Sequence, residues 1–339
     1  MNKMVNQKFN SLEKIIGNTP MAEISYEYNK KAGKIYAKLE YFNFTGSIKD
    51  RIAFFILKNA YENNTIDESW EIAEATSGNT GISFSAIGSY LGNRVTIFMP
   101  DWMSLERKNL MRSFGANLTL VSKEQGGFTG SIKMADDYAQ DKKVFLPHQF
   151  SNILNVKAHE KTTGVEIAQQ MKQFNRNAEA FVAGVGTGGT LMGVSNYLKT
   201  INKNLKVFAM EPESSPTMTT GYKTGSHMIP GISDEFIPEI VNMKTIDEIL
   251  LIDDKDAINM SLKLSQKLGL GVGVSSAANF LASVTASEKY SLSGVVTVFS
   301  DDNKKYLSNN YLDMDLASPD FISNNLKLQH FCINPELSY

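Results

Sequence analysis

One stretch of the sequence decides the class of fold. A strand is predicted at residues 70–75, it continues directly into Thr76-Ser77-Gly78-Asn79-Thr80-Gly81, and a helix of small residues is predicted at 82–91. Strand, glycine-containing turn and helix in this order form the repeating unit of α/β proteins. The hydroxyl groups of the turn and the N–H groups that start the helix suit a small carboxylate. This stretch therefore predicts a parallel sheet with a ligand site at the carboxyl end of a strand.

The same alternation of strands and helices continues on both sides of this stretch. Further strands are predicted at residues 34–40, 94–99, 117–121, 144–146, 180–183, 206–210, 249–252 and 295–299. Further helices are predicted at 11–17, 49–63, 104–114, 130–140, 163–174, 190–199, 254–268 and 277–287. The polar residues 148–161 are predicted to connect two halves of the chain. Residues 211–238 are predicted to form a long loop, and loops of such length are usually functional. The pattern indicates an α/β protein whose parallel strands are covered by helices.

The composition excludes several classes of function. The chain has 339 residues, of which 42% are hydrophobic and 21% charged, and its formal net charge is -2. This balance gives no basis for binding nucleic acid or an anionic membrane surface. Cys332 is the only cysteine and the four histidines lack metal-ligand spacing, so we expect neither an internal disulfide nor a metal site. The lone thiol and the absence of a signal-peptide pattern favour the cytoplasm.

A lysine lies in an unusual position in a second polar turn. The sequence Phe44-Thr45-Gly46-Ser47-Ile48-Lys49-Asp50-Arg51 opens an amphipathic helix and puts Lys49 in its first turn. The positive end of a helix disfavours a cation, and the same field favours the neutral, nucleophilic form of an amine. A reactive lysine and a solvated surface lysine are both compatible with this stretch.

A third strand end carries Gly184-Val185-Gly186-Thr187-Gly188-Gly189-Thr190, followed by a predicted helix. Backbone N–H groups at a helix N-terminus and two hydroxyl groups form a cradle for a phosphate. A tight turn with glycines for close packing is the alternative without a ligand. The spacing also matches the dinucleotide fingerprint, with Glu211 where a ribose-binding acid would lie. Three classes of function are therefore compatible with this turn. They are an enzyme that binds a phosphate, an NAD-dependent oxidoreductase and a non-catalytic binding protein.

The three turns together favour chemistry on an amino acid. A phosphate site, a carboxylate site and a reactive lysine are what an enzyme using pyridoxal 5'-phosphate (PLP) needs. The NAD-dependent alternative leaves the turns at Lys49 and Asn79 without a role. The lysine also weighs against a protein that only binds.

Six ordered motifs carry a resemblance to a known family. They are Thr45 to Arg51, Thr76 to Gly81, Gln149-Phe150-Ser151-Asn152, His159-Glu160-Lys161-Thr162-Thr163-Gly164, Gly184 to Thr190 and Lys305-Tyr306-Leu307-Ser308. In this order they resemble the cysteine synthase and cystathionine β-synthase family, the fold-type II, tryptophan-synthase-β-like PLP enzymes. The resemblance covers roughly residues 12–310. It implies an α/β fold with two open twisted, mostly parallel sheets flanked by helices.

The resemblance also implies domains. A small N-terminal α/β domain is expected at 44–148. A large cofactor-binding α/β domain would combine 1–43 with 149–310, and 311–339 would form a peripheral C-terminal tail.

The same resemblance implies roles for individual residues. Lys49 would bind the cofactor aldehyde covalently and then move the α-proton of the substrate, and Asn79 would contact the 3′ oxygen of the pyridine ring. Ser275 would face the pyridine nitrogen, where a neutral hydroxyl favours loss of a β-substituent over transamination. The phosphate would be held by Gly186, Thr187, Gly188, Gly189 and Thr190. The substrate carboxylate would be held by Thr76, Ser77, Gly78, Thr80 and Gln149.

Some positions depart from the family pattern, namely Phe44, Ala277 and the loop Pro230-Gly231-Ile232-Ser233-Asp234-Glu235-Phe236. Cysteine synthases usually have small neutral residues where Asp234 and Glu235 stand. A carboxylate in this loop would act as a general base on a weak nucleophile such as water, or it would be a solvated loop acid.

The sequence therefore predicts a PLP-dependent β-replacement through an aminoacrylate intermediate. The reaction would be that of a cysteine synthase, O-acetylserine and sulfide giving cysteine and acetate. A first alternative is a cysteine hydroxyl-lyase that releases hydrogen sulfide from L-cysteine and forms L-serine, with Asp234 activating water. A second is a cystathionine β-synthase type of condensation. The family further implies small amino-acid substrates, a homodimer and, in some members, binding of serine acetyltransferase.

Overall fold

Strands and helices alternate along much of the chain, as the sequence predicts. The computed structural model describes residues 2–76, 78–233 and 235–333. The strands are β1 (Met21–Tyr28), β2 (Lys31–Leu39), β3 (Glu71–Ala75), β4 (Arg94–Pro100), β5 (Asn117–Val121), β6 (Val144–Phe145), β7 (Ala180–Gly184), β8 (Lys206–Pro212), β9 (Glu248–Ile252), β10 (Val295–Phe299) and β11 (Leu326–Ile333).

The helices fall mostly between consecutive strands, where crossover connections of parallel strands require them. They are α1 (Lys3–Leu12), α2 (Lys49–Glu62), α3 (Asn79–Leu91), α4 (Leu105–Ser113), α5 (Gly127–Ala139), α6 (Ile153–Lys161), α7 (Thr163–Gln173), α8 (Gly189–Ile201), α9 (Thr217–Thr220), α10 (Asp254–Leu268) and α11 (Val274–Tyr290).

The first compact unit comprises the residues up to Gly17 together with Asn43–Asn155. Its sheet has the order β5-β4-β3-β6, and all neighbouring strands are parallel. Apolar side chains of α1, α2 and α3 form one buried cluster with the sheet, for example Phe9, Ile56, Phe84 and Ile97. The parallel arrangement puts the carboxyl ends of β3 and β4 at the same edge, which is where α/β sheets bind ligands.

The second unit comprises Asn18–Phe42 and the chain from Val156 onward. Its sheet has the order β11-β1-β2-β10-β7-β8-β9. The pairs from β2 to β9 are parallel, and β1 pairs antiparallel with both β2 and β11. Helix α11 is buried along most of its length and contributes Phe280, Leu281 and Val284 to the core. Both sheets are mostly parallel and flanked by helices, which confirms the predicted fold class.

The N-terminal part of the chain differs from the prediction. The helix expected at 11–17 is wrong, because α1 begins at Lys3 and ends at Leu12. Asn2 caps it by accepting a hydrogen bond from the N–H of Val5 at 2.9 Å, as N-cap residues do. Val5, Phe9 and Leu12 face the core of the first unit. The residues up to Gly17 therefore belong to that unit, whereas the predicted domains grouped them with the cofactor-binding domain.

Four further segments differ from the prediction. Strand β1 was not predicted, and the expected polar crossover at 148–161 contains α6. The loop at 211–238 contains the short helix α9. The C-terminal segment was expected to be peripheral, but β11 pairs with β1 from Ala22 to Tyr28. Residues 326–333 are therefore part of the large sheet, because β1 would otherwise present unpaired backbone groups at its edge.

Candidate active site

The turn before Lys49 is closed by the residue that follows it. Asp50 is buried and its carboxylate accepts hydrogen bonds from the N–H and the hydroxyl of Thr45, both at 2.6 Å. Gly46 has a φ of +79°, a conformation that glycine adopts without strain. Ser47 Oγ accepts a hydrogen bond from the N–H of Lys49 at 3.3 Å. Lys49 is thus the first residue of α2, as predicted, on a turn fixed by hydrogen bonds.

The second turn joins β3 to α3. Thr76 Oγ1 accepts a hydrogen bond from the N–H of Gly78 at 3.2 Å, and Thr80 donates its hydroxyl to Gln149 Oε1 at 2.7 Å. The side-chain amide of Gln149 also donates to the carbonyl of Ala75 at 2.9 Å. The structure therefore brings the predicted carboxylate-binding residues Thr76, Gly78, Thr80 and Gln149 together. Ser77 lies outside the described residues.

Glu74 lies beneath this second turn and was missed by the sequence analysis. Its carboxylate accepts hydrogen bonds from the N–H of Ala75 at 2.9 Å and from the N–H of Gln149 at 3.3 Å. Burial raises the pKa of Glu74 to about 8, although the N–H donors act in the opposite direction. One acidic side chain therefore connects the end of β3 with the segment that carries Gln149.

The two turns of the first unit are also connected to each other. Thr45 Oγ1, next to the Lys49 turn, lies 3.4 Å from Ser83 Oγ on α3. Ser83 in turn donates its hydroxyl to the carbonyl of Asn79 at 3.0 Å. Asn79 is the first residue of α3. The predicted catalytic lysine and the predicted ring-binding asparagine thus start two helices that are linked through Thr45, in the turn before α2, and Ser83, in the second turn of α3.

The third turn belongs to the second unit and connects β7 to α8. Gly188 has a φ of +85° and precedes Gly189, where α8 begins. A side chain on Gly186 would overlap the carbonyl oxygen of Gly231, so this position requires glycine. The first N–H groups of a helix have no partner within the helix. With the hydroxyls of Thr187 and Thr190, this turn consists of hydrogen-bond donors at the positive end of a helix, which fits a phosphate.

A buried histidine supports one hydroxyl of the phosphate turn. His159 Nε2 lies 3.2 Å from Thr190 Oγ1, and His159 Nδ1 lies 2.9 Å from Thr163 Oγ1. The histidine is 1% exposed. His159 belongs to one of the six motifs, but the sequence alone implies no role for it. Its role depends on α6 and α8 packing together, which the sequence pattern does not show.

Ser275 is the second residue of α11, and it is buried. The start of this helix is held by Asp301, whose carbonyl accepts from the N–H of Gly273 at 3.0 Å. The carboxylate of Asp301 accepts the hydroxyl of Tyr306. One turn after Ser275, Asn279 Oδ1 accepts the N–H of Gly184 at 2.7 Å. Asn279 therefore fixes α11 to the end of β7, next to the phosphate turn.

Glu211 does not have the role that the dinucleotide alternative requires. Its carboxylate accepts hydrogen bonds from the N–H groups of Met218 at 2.7 Å and Thr219 at 3.0 Å, and from the hydroxyl of Thr219. It is 1% exposed. The acid that would bind a ribose instead caps α9, which removes the support for an NAD-dependent oxidoreductase.

The loop that departs from the family pattern packs on the phosphate turn. The N–H of Ser233 donates to the carbonyl of Val185 at 2.8 Å. Glu235 forms an ion pair with Lys223 at 3.2 Å near the surface. Asp234, the predicted general base, lies outside the described residues.

Within residues 2–76, 78–233 and 235–333, no cluster of three or more His, Cys, Asp or Glu side chains is arranged to hold a metal ion. No helix in this described part combines the length and the apolar character that crossing a membrane requires.

Comparison with known proteins places the chain in a family. Residues 12–301 match the model of the family described as pyridoxal-phosphate dependent enzyme. The cysteine synthase of Staphylococcus aureus is 37% identical over 306 residues, 90% of this chain and 97% of that protein. Cysteine synthase B of Campylobacter jejuni is 39% identical over 299 residues, 88% of this chain and 96% of that protein.

A solved structure is similar over almost the whole chain. The hydrogen sulfide-producing enzyme of Fusobacterium nucleatum is 49% identical, with a TM-score of 0.93, and covers 96% of this chain and 97% of its own. A mutant of that enzyme with asparagine in place of an aspartate is described in complex with an α-aminoacrylate intermediate.

Proposed function

Because the chain belongs to the family of pyridoxal-phosphate dependent enzymes, we propose that it releases hydrogen sulfide from L-cysteine and forms L-serine in a β-replacement with water. One observation carries the choice of reaction. The chain is 49% identical to a hydrogen sulfide-producing enzyme over 96% of its length, against 37% and 39% for the two cysteine synthases. PLP supplies the electron sink that lets the α-proton and then the β-substituent leave.

In the first unit, we assign Lys49 as the cofactor-binding lysine and the base that moves the α-proton. Its place at the start of α2, on a turn closed by Asp50, supports this assignment because the helix field favours a neutral amine. Asn79 is assigned to the 3′ oxygen of the ring. The substrate carboxylate is assigned to the second turn, namely Thr76, Ser77, Gly78, Thr80 and Gln149.

In the second unit, we assign the cofactor phosphate to the turn at residues 186–190, whose donors and lack of acidic side chains fit a dianion. Ser275 is assigned to the pyridine nitrogen. A hydroxyl there leaves the ring a weaker electron sink than an aspartate would. Expulsion of a group from Cβ is then favoured over reactions that need a long-lived carbanion at Cα.

The proposed reaction balances without an oxidant or a reductant. Lys49 removes the Cα proton, the Cβ–S bond breaks, and sulfide leaves and takes up a proton. In the second half-reaction Asp234 accepts a proton from water, the Cβ–O bond forms, and a proton returns to Cα. Water is a weak nucleophile and gains from a general base, whereas sulfide needs none. The aspartate-to-asparagine mutant of the Fusobacterium enzyme, which holds the intermediate, supports such a base.

The sequence identity to cysteine synthases supports a second candidate reaction, in which O-acetylserine and sulfide give cysteine and acetate. The two reactions share the assignments at Lys49, the carboxylate turn and the phosphate turn. They differ in the leaving group and in the nucleophile. Asp234 has a role in the first reaction and none in the second.

Product analysis tests the proposal. Purified enzyme is incubated with L-cysteine alone in water enriched in oxygen-18, and sulfide and serine are measured. We expect equal amounts of both products, with the heavy oxygen on the serine hydroxyl. Formation of cysteine from O-acetylserine and sulfide, without serine from cysteine, would select the second candidate.

Variants of the loop separate the two half-reactions. Asp234→Asn should leave the first release of sulfide near the wild-type rate and slow serine formation by about 10²-fold or more. Glu235→Gln is the matched control, since it removes a neighbouring carboxylate that pairs with Lys223. Equal slowing of both half-reactions by Asp234→Asn would remove Asp234 from the catalytic roles.

We also propose that the enzyme acts on small amino acids as a homodimer in the cytoplasm. Sedimentation equilibrium tests the dimer, and a pull-down with serine acetyltransferase tests the partner that the family implies.

A further inference from the structure

Ser233 has a strained backbone for a residue other than glycine. Its φ is +52°, in the left-handed region, where the Cβ of an L-amino acid approaches the following carbonyl. Such conformations persist only where surrounding contacts determine them, and they occur often at functional sites. Ser233 directly precedes Asp234, the proposed general base. The contacts that hold Ser233 therefore fix the chain up to the residue before the proposed base.

Every polar group of Ser233 is engaged. Its N–H donates to the carbonyl of Val185 at 2.8 Å, and its hydroxyl donates to the carbonyl of Ser215 at 2.7 Å. The hydroxyl also lies 3.3 Å from Thr217 Oγ1. The carbonyl of Ser233 accepts from His227 Nε2 at 3.1 Å. The serine is 7% exposed. These contacts compensate for the backbone strain and hold the residue from three directions.

The contact with Val185 connects Ser233 to the phosphate turn. Val185 precedes Gly186, and Gly186 leaves the space that the carbonyl oxygen of Gly231 fills. The side chain of Ile232 would contact any Cβ placed on Gly184. The loop before Asp234 is thus packed directly on the turn assigned to the cofactor phosphate, with no side chain between the two backbones.

His227 supports the loop from the other side. Burial lowers the pKa of His227, which favours the neutral ring. A proton on Nε2 lets it donate to Ser233. Two charged groups face it, Asp254 and Lys223. Asp254 also accepts the N–H of Met228 at 3.1 Å, which fixes the backbone next to the histidine.

We propose that Ser233 and His227 are positioning residues for the second half-reaction, which hold the chain so that Asp234 can activate the attacking water. Neither residue takes part in the chemistry. This inference rests on the proposed function, since it assigns Asp234 as the base. A misplacement of a catalytic group by about 1 Å can cost about 10²-fold in rate, so loss of these contacts should affect addition of water and spare release of sulfide.

The experiment compares Ser233→Ala, His227→Phe and His227→Gln in the holoenzyme. Release of sulfide in the first turnover should stay within about twofold of wild type. Serine formation should fall about tenfold or more in Ser233→Ala and His227→Phe. His227→Gln keeps an N–H donor and should recover most of the rate. Ser214→Ala, which removes a hydroxyl of the neighbouring chain that bonds Asp254 and not Ser233, is the matched control.

Hydrogen exchange gives a readout that does not depend on turnover. Amides of residues 225–233 should exchange faster in Ser233→Ala and His227→Phe than in wild type and in Ser214→Ala. Unchanged exchange in both variants, or equal slowing of both half-reactions, would overturn the inference. Failure of the proposed function looks different, because wild-type enzyme would then form no serine from cysteine, while the exchange comparison would still decide whether these residues hold the loop.

Discussion

Thr80 donates its hydroxyl to Gln149 Oε1 at 2.7 Å, which joins the turn after β3 to the segment that follows β6. Gln149 also donates to the carbonyl of Ala75 and its own carbonyl accepts from Asn155 Nδ2 at 2.8 Å. The side-chain amide of Gln149 is therefore fixed in orientation by Thr80 and Ala75. A fixed amide next to helix N–H groups gives the proposed carboxylate site its shape before the substrate arrives.

Thr80→Val should weaken substrate binding. The change keeps the shape of the side chain but leaves the buried Oε1 of Gln149 without this donor, a loss of about 1–3 kcal/mol. We expect the KM for cysteine to rise about tenfold, with a smaller change in kcat. Ser85→Ala on the same helix is the control, since its hydroxyl donates within α3 to the carbonyl of Gly81. An unchanged KM in Thr80→Val would argue against a carboxylate site at this turn.

Glu74 should make stability depend on pH. Its pKa is raised from 4.5 to about 8 in the folded protein, so between these values the unfolded chain is ionised and the native chain keeps the proton. Stability is then lost as pH rises through this window, by about 5 kcal/mol at most.

Glu74→Gln removes this titration, although its amide cannot accept both N–H groups and so costs a constant amount at every pH. Urea unfolding should show the stability of Glu74→Gln rising relative to wild type between pH 5 and about 8. Glu62→Gln, an exposed carboxylate on α2, controls for the loss of one charge. A difference independent of pH would contradict the buried, protonated state.

His159→Phe should weaken cofactor binding. The histidine holds Thr190 in the phosphate turn at 3.2 Å and is itself held by Thr163. Loss of one such hydrogen bond, about 1 kcal/mol, corresponds to a Kd for PLP about fivefold higher. Fluorescence titration of the cofactor-free protein measures it. His330→Asn, an exposed histidine on β11, should bind as wild type does.

Lys49→Ala should abolish the covalent attachment of PLP. The visible absorbance of lysine-bound cofactor should disappear, and sulfide release should fall by at least about 10³-fold. Lys58→Ala on the same helix is the control, since Lys58 Nζ lies 3.2 Å from Glu13 at the surface. This variant should keep both the visible absorbance and the release of sulfide. Mass spectrometry after borohydride reduction locates the attached residue, and a label elsewhere in the chain would contradict the assignment.

Leu326→Ala should destabilise the second unit. Leu326 is 6% exposed in the main core cluster and begins β11. A large-to-small change at such a position costs about 2–4 kcal/mol, measured as a lower midpoint of urea unfolding. Gln329→Ala, an exposed position on the same strand, should change stability by no more than about 0.5 kcal/mol. Equal effects of the two changes would show that β11 does not depend on this packing.

Local pattern was enough to predict several elements of both units. The bounds of β5, α10 and β10 follow from hydrophobic runs ended by turn residues, and each glycine-rich turn is contiguous in sequence. The chemical groups of a contiguous motif can be identified from the sequence alone, before the fold is known. The roles of Glu74, His159 and Asn279 were not visible, because each depends on a partner from another segment.

Two of the elements that the sequence did not predict, β11 and α1, depend on contacts with distant segments. Strand β11 has a weak alternation, since its register with β1 shifts at Ser25 and Tyr26. A bulge of this kind breaks the period of two that identifies a strand. Helix α1 has a polar sequence with three buried side chains, Val5, Phe9 and Leu12, and only its contacts with the first unit show that it is structural.

The order β11-β1-β2-β10 has a consequence for synthesis on the ribosome. The hairpin of β1 and β2 emerges early, yet both of its outer neighbours come from the far end of the chain. The sheet of the second unit can therefore form completely only after β10 and β11 have been synthesised, and β1 and β2 lack their outer neighbours until then. Most of the first unit, in contrast, is made from one continuous segment. We therefore expect chaperones to act on nascent chains mainly at the hairpin of β1 and β2.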